Sequence, residues 1–439
     1  MFKTLRNAFK VKDIRTRLIY TFIALIVVRL GTLLPAPAID PEVTKQWFQN
    51  LGFFNNLTGG SFTNMSIFAL SITPYISSSI IVQLLTIAIP KLEELQKEGE
   101  DGRKKMTAIT RYITVALAVI ESGAMAIGFG NSGALEGGLT LTNVILVIAS
   151  FTAGSAFLMW VGERITQNGV GNGISIILLV NIVSTMPSDF ITLTQKFVIS
   201  QPVVKAILAA LIIIAVVVVT VVFVVILQDA ERRIPVQYAK KVQGRKMVGG
   251  QTSHIPLKVN TAGVIPVIFA GSLMSFPGVI ASFFGVYPAR AYFWPKVLKV
   301  LSQQSWLVIN KGWGEFKYSL GLLIYIALVI FFAYFYTSIT FNPIEVANNM
   351  KKQGGFIPGI RPGKPTTEYL NKVLNNIIFI GAIGLTIVSV IPIFFSGAFG
   401  TNLSFGGTSI IIIVGVVIET IKQIESQLLV RHYKGFLND

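Results

Sequence analysis

Runs of apolar residues long enough to cross a bilayer recur along this chain, separated by shorter polar stretches that carry most of its charge. Ten such runs are read, at approximately 18–37, 71–90, 107–129, 140–161, 173–187, 203–228, 261–281, 317–341, 374–395 and 407–426. Alternating segments of about ten residues, the mark of an outer-membrane barrel, are absent. The pattern predicts an all-α polytopic membrane protein. One stretch breaks the rhythm. Residues 55–70 are too rich in Gly, Ser, Thr and Asn, and too few, to cross alone, and they lead directly into the uncharged run at 71–90. Irregular backbone at membrane depth survives only where protein or a water-filled cavity surrounds it. The stretch is therefore a candidate re-entrant segment, with a loop lying on the membrane surface as the plainer alternative.

Composition agrees with the pattern: 52% of the 439 residues are hydrophobic and mean hydropathy is +0.67. An even number of spans puts both termini on one side, and basic residues place that side in the cytoplasm. Lys3, Arg6, Lys10, Lys12, Arg15 and Arg17 precede the first span, and the stretches at 91–106, 229–260 and 342–373 are also basic. The outward stretch 282–316 is basic as well, and long outward loops escape the rule more readily. The net charge of +17 is thus mostly inward-facing. Topology and attraction to anionic lipids account for part of it. Two long basic loops go further and suit an acidic or RNA-rich partner. In 229–260, strand-like residues flank Gln243-Gly244, which predicts a hairpin that pushes Lys240, Lys241, Arg245 and Lys246 outward. In 342–373, alternating Pro and Gly exclude helix and set Arg361 on a stiff turn. An ordinary solvated charge is the plain alternative for Arg361.

Several chemistries drop out. Without cysteine there is no disulfide, thiolate catalysis or Cys-based metal site. The only histidines, His254 and His432, lie far apart in sequence, against a His-rich metal site. Residues 168–175, NGVGNGIS, lack the preceding strand and the following Lys-Ser/Thr of a phosphate loop and read as the turn into the fifth span. Neither an enzyme nor a bound cofactor is expected, and energy for any directed transport would come from a partner. Arg29 and Glu121 lie deep in spans, while Glu163, Glu419 and Lys422 lie near inward ends. This is no relay of carboxylates, and it weighs against an ion-coupled carrier of small solutes, the competing class. Ile72 and Ile76 share a helix face, and Ile174 and Leu178 repeat the spacing. Taken alone, helix packing is the plainer account of both pairs.

Longer strings carry a resemblance. They are SIFALSITPYISSSIIVQLLT at 66–86, QKEGEDGRKK at 96–105, FLMWVGERITQNGVGNGISI at 157–176, HIPLKVNTAGVIPVIFA at 254–270, FNPIEVANNMKKQGGFIPGIRPG at 341–363 and FGGTSIIIIV at 405–414. In these strings the chain resembles the SecY family, the channel-forming subunits of the bacterial protein translocon. Residues 130–139, 187–202, 282–316 and the C-terminal tail match poorly. The resemblance implies two halves of five spans, 1–187 and 203–439, related by inverted pseudo-symmetry around an hourglass pore and joined by a hinge loop at 188–202. It implies a pore ring of Ile72, Ile76, Ile174, Leu178, Ile268 and Ile412, with Leu178 where isoleucine is frequent. It makes 55–70 a plug helix, including Asn55, Leu57, Gly59, Gly60, Phe62, Met65 and Ile67, and makes spans two and seven a lateral gate. The expected activity is passage of unfolded secretory polypeptides across the bacterial plasma (inner) membrane, with sideways release of apolar segments into lipid. The implied partners are SecE, SecG, the SecA ATPase, the ribosome, signal sequences and nascent chains. The loops at 229–260 and 342–373 would dock the motor or ribosome. An insertase without a through-pore is a third possibility, and it predicts no export of polar chains.

Overall fold

The computed structural model describes residues 6, 8–40, 58–199, 202–238, 241–243, 246–248, 252–283, 297, 307–308, 317–318, 320–399 and 407–435. A helix lies at each of the ten apolar runs: α1 Lys12–Gly31, α2 Thr73–Ala88, α4 Glu100–Ser132, α5 Leu141–Asn168, α6 Gly173–Thr194, α7 Val203–Asp229, α8 Ile265–Phe283, α9 Leu320–Thr340, α11 Lys364–Phe399 and α12 Gly407–Gly435. Two short amphipathic helices, α3 Pro90–Lys97 and α10 Pro343–Lys352, lie between them. Among the described residues, five helices are long and apolar enough to cross a membrane by length and composition, or six if α2 and α3 count as one bent span. The 16 residues of α2 rise only about 24 Å. The chain turns by 104° into α3. Pro90 explains the bend, because it cannot donate a backbone hydrogen bond and it holds Ile89 in extended conformation, at φ −115° and ψ 108°.

The helices pack through small hydroxyl residues and a few ion pairs. Ser78 of α2 meets Thr114 of α4 at 2.6 Å between hydroxyl oxygens, and Ser122 of α4 meets Thr152 of α5 at 3.2 Å. Arg111 of α4 grips Glu163 of α5 with both ends of its guanidinium, at 2.7 and 2.6 Å. Lys422 of α12 donates to Asp229 at the end of α7, at 2.6 Å. Glu163 and Lys422, two of the charges read near span ends, thus also join helices.

The expected all-α class needs correction, because the predominantly helical bundle carries a small sheet. Strand β1 Glu231–Tyr238 pairs antiparallel with β4 Thr252–Lys258, with Ile234 opposite Ile255. Strands β2 Lys241–Gln243 and β3 Lys246–Val248 pair beyond them, with Gln243 opposite Lys246, so the hairpin forms at the place expected. The third strand of the main sheet was not anticipated. It is β7 Gly355–Phe356 from the second basic loop, which pairs with Gln237 and Tyr238 of β1. A further two-residue pair, β5 Leu307–Val308 with β6 Lys317–Tyr318, lies in the stretch between α8 and α9. Period-two alternation in β1 turns Ile234 and Val236 inward, where they pack with Leu257, Ala347, Met350, Ile357 and Leu370. The expected hinge loop at 188–202 is also mostly helical. α6 runs through Pro187 to Thr194, and a π-helical turn follows over Gln195–Ile199. The sequence offers no Gly or further Pro between Ser188 and Ser200 to stop it.

Ile234 is 1% exposed and anchors the small core shared by the two basic loops. Truncating it to alanine is expected to cost that core about 2–4 kcal/mol. The check is limited trypsin digestion. Cleavage in 229–260 and 342–373 should accelerate together while the helical bundle stays intact, and acceleration in one loop alone would show that the sheet does not couple them.

Candidate functional site

Ile72 caps the N-terminus of α2 and Ile76 follows one turn later. Ile174 and Leu178 stand one turn apart at the start of α6, Ile268 lies in α8 and Ile412 in α12. The fold brings all six into one apolar cluster. Ile72, Leu178, Ile268 and Ile412 are buried there, with Ile76 and Ile174 partly buried against it. The start of α6 is set by Asn172, whose side-chain oxygen accepts from the backbone N–H of Ile174 and Ser175, at 3.1 and 3.4 Å. The glycine-rich stretch 168–173 is therefore a turn held by a helix cap, as its sequence suggested.

Phe68 and Ile67 join this cluster from the irregular segment that precedes α2. The expected plug helix is not a helix beyond Thr58 in its described part. From Gly59 to Ile72 the chain is a succession of turns, with positive φ at Gly59, Gly60, Met65 and Ser71. Left-handed residues at this spacing interrupt any helical ladder. Asn55 and Leu57 lie outside the described residues. The rest of the segment is enclosed rather than laid over a surface. Ala36 N–H donates to the Met65 carbonyl at 2.8 Å, and Ile67 N–H donates to the Leu34 carbonyl at 3.0 Å. Met65, Ala69 and Leu70 pack on Ala118, Ala126 and Phe129 of α4 and on Val147 and Phe151 of α5. Gly154 of α5 admits the segment's backbone, since a Cβ there would overlap the Ile67 carbonyl oxygen.

Its fit is close but polar in places. The Ser61 and Ser66 hydroxyls are buried with no hydrogen-bond partner among the described residues, which costs about 1–3 kcal/mol apiece. Two side chains reach the segment from the wall. Arg29 of α1 donates to the Gly59 carbonyl at 3.2 Å, and Asn181 of α6 donates to the Ser71 hydroxyl at 3.2 Å. In the sequence Arg29 stands out as a charge deep in a span, whereas Asn181 is inconspicuous. Its spacing from Ile174 and Leu178, at i, i+4 and i+7, is the one signal that placed Asn181 on their face.

The basic loops are placed unevenly. Lys241 and Lys246 fall on the paired strands β2 and β3, while Lys240 and Arg245 lie outside the described residues. Arg361 is exposed on the turn between β7 and α11, where the Thr366 hydroxyl donates to its carbonyl at 2.9 Å. The pairing of β7 with β1 brings the start of the Arg361 turn next to the strand that precedes the hairpin.

An irregular segment enclosed by helices, seated on an aliphatic cluster drawn from both ends of the chain, defines a polytopic helical membrane protein with an occluded centre. The SecY family model matches residues 66–421. The protein translocase subunit SecY of Streptomyces coelicolor is 43% identical over 461 residues, covering 100% of both chains. That of Bacillus subtilis is 42% identical over 449 residues, again covering 100% of both. The chain belongs to the SecY family. Its fold is that of a solved protein-conducting channel, with a TM-score of 0.65 and 19% identity over 94% of this chain and 92% of that one. Sec61 in a canine ribosome–channel complex is similar with a TM-score of 0.61 and 18% identity, over 94% and 92% of the two chains.

Overpacking at Gly154 should unseat the enclosed segment. Forcing a side chain into such a contact costs about 1–3 kcal/mol. With no native cysteine to interfere, a single cysteine at Phe62, which is 9% exposed, reports the change. Maleimide labelling there is expected to run about tenfold faster in Gly154→Val than in the parent. Equal rates would mean that α5 does not hold the segment in place.

Proposed function

We propose that the chain is a passive, gated channel for unfolded polypeptide, sited in the bacterial plasma membrane with both termini in the cytoplasm. The carrying observation is the meeting of Ile72, Ile76, Ile174, Leu178, Ile268 and Ile412 in one cluster beneath an enclosed irregular segment. These six form the constriction and residues 55–70 form the plug. A narrow aliphatic ring offers no groups to replace an ion's hydration shell, so it dewets and blocks ions when closed. The same side chains make no sequence-specific contacts and deform around any polypeptide. The halves 1–187 and 203–439 part along α2 and α8, the lateral gate. An apolar segment held there enters lipid at a gain of about 25 cal/mol per Å² of apolar area. The buried hydroxyls of Ser61 and Ser66, without a partner among the described residues, favour a plug that leaves readily.

The two basic loops form the docking surface for a ribosome or the SecA motor, with SecE and SecG completing the assembly. The shared sheet supports this by making the loops one projecting body. The ribosome-bound state of the similar Sec61 channel supports it as well. Lys240, Lys241, Arg245, Lys246 and Arg361 are the contacts, and anionic lipids border them.

The direct test places one cysteine at Ile76 and another in a stalled secretory chain, then looks for a disulfide in membranes under mild oxidation. A crosslink that requires a functional signal sequence is expected. Capture only at lipid-facing control positions would move the polypeptide path outside the bundle and favour the insertase. Arg361→Glu is expected to reduce motor-driven export about tenfold or more, as loss of an interfacial charge pair does, while membrane insertion of the subunit is unchanged. Normal export would remove Arg361 from the docking surface.

A further inference from the structure

Arg29 is the one arginine in the apolar part of α1, and among the described residues no carboxylate pairs with it. A charge at such a depth persists only where it is hydrogen-bonded or hydrated. Its described side-chain partner is the Gly59 carbonyl at the head of the plug, at 3.2 Å. Gly59 sits at φ +67°, and a Cβ there would come within 3.0 Å of the guanidinium and 2.9 Å of the α6 backbone at Asn181. The carbonyl is thus presented to Arg29 by a backbone conformation that suits glycine. At the other end of the plug, Asn181, 1% exposed, donates to Ser71. Both ends are tied to the wall by donors, while the hydroxyls of Ser61 and Ser66 between them have no partner among the described residues. A cavity of about 330 Å³, lined by Phe22, Leu25, Ile26, Arg29, Leu30, Leu33 and Val180, opens beside the guanidinium.

We infer that Arg29 is a latch. Its charge-assisted hydrogen bond holds the head of the plug in the closed channel, and that bond breaks when the plug leaves. As a positioning residue it sets how strong a signal sequence must be to open the channel. The latch rests on the plug role proposed above. A hydrogen bond to a charged donor is stronger than a neutral one, and an arginine whose only task was to cap α1 would not couple to the plug.

The experiment uses the full chain assembled with its partners in vesicles. It compares Arg29→Met, Arg29→Lys, a plug deletion of 58–66, and Arg29→Met combined with the deletion. Arg29→Met is expected to raise resting ion leak about tenfold and to pass precursors with weakened signal sequences. Arg29→Lys should stay close to the parent, because an ammonium still reaches the carbonyl. Arg29→Met should add nothing once the plug is gone, since the two changes remove one interaction. Equal leak from Met and Lys, an additive effect in the deleted background, or a tight Arg29→Met channel beside a leaky deletion would each overturn the latch. A deletion that does not leak would overturn the plug role itself, and the latch with it. If Arg29→Met fails to assemble, Gly59→Ala keeps the arginine but crowds the carbonyl. It should leak similarly, and a tight Gly59→Ala channel would overturn the proposal.

Discussion

A non-helical backbone inside an apolar bundle has to find its hydrogen bonds from protein, and the rest of this structure is arranged around that demand. The segment from Thr58 to Ile72 cannot satisfy itself as a helix would, because four of its residues have positive φ. It is met instead by the backbone at Leu34 and Ala36, by Arg29 and by Asn181. Gly154 brings α5 close enough to close the enclosure. Two serines are left unpaired within the described residues. The segment is therefore held along its length by backbone and side-chain partners, with unpaired hydroxyls among them.

The aliphatic cluster below it follows from the same arrangement. α2 begins where the irregular segment stops, so its first residue-turn delivers Ile72 and Ile76 into the middle of the bundle rather than to an end. α6 is started by the Asn172 cap and brings Ile174 and Leu178 to the same place. Helices α8 and α12 complete the cluster from the other part of the chain. The cluster is held by the packing of apolar side chains.

Outside the bundle, electrostatics and packing divide the work. The charges lie on loops, yet those loops are given a shape by apolar residues: Ile234, Val236, Leu257 and Ile357 form a core of their own. The pairing of β7 with β1 joins two loops that are more than a hundred positions apart in the chain. Arg111–Glu163 and Lys422–Asp229 act as struts between helices.

The sequence by itself determined what depends on local composition and spacing. Ten apolar runs became ten helices because a continuous apolar run of span length needs no distant partner to be recognised. The hairpin at 229–260, the turn at 168–173 and the Pro-Gly turn at Arg361 were legible because Gly, Pro and Asn act on the residues next to them. The strings shared with the SecY family carried the rest, including the six aliphatics that no periodicity could have joined across so many intervening residues. Only the tertiary structure decided the path of the irregular segment before α2, the strand that ties the two basic loops and the partners of Arg29 and Asn181. Each of these is settled by a long-range contact: a carbonyl presented by a left-handed glycine, a two-residue strand too short to register as a pattern, a close approach permitted by Gly154. Such contacts leave no periodic trace in the residues that make them, because their stability comes from the neighbour and not from the segment itself.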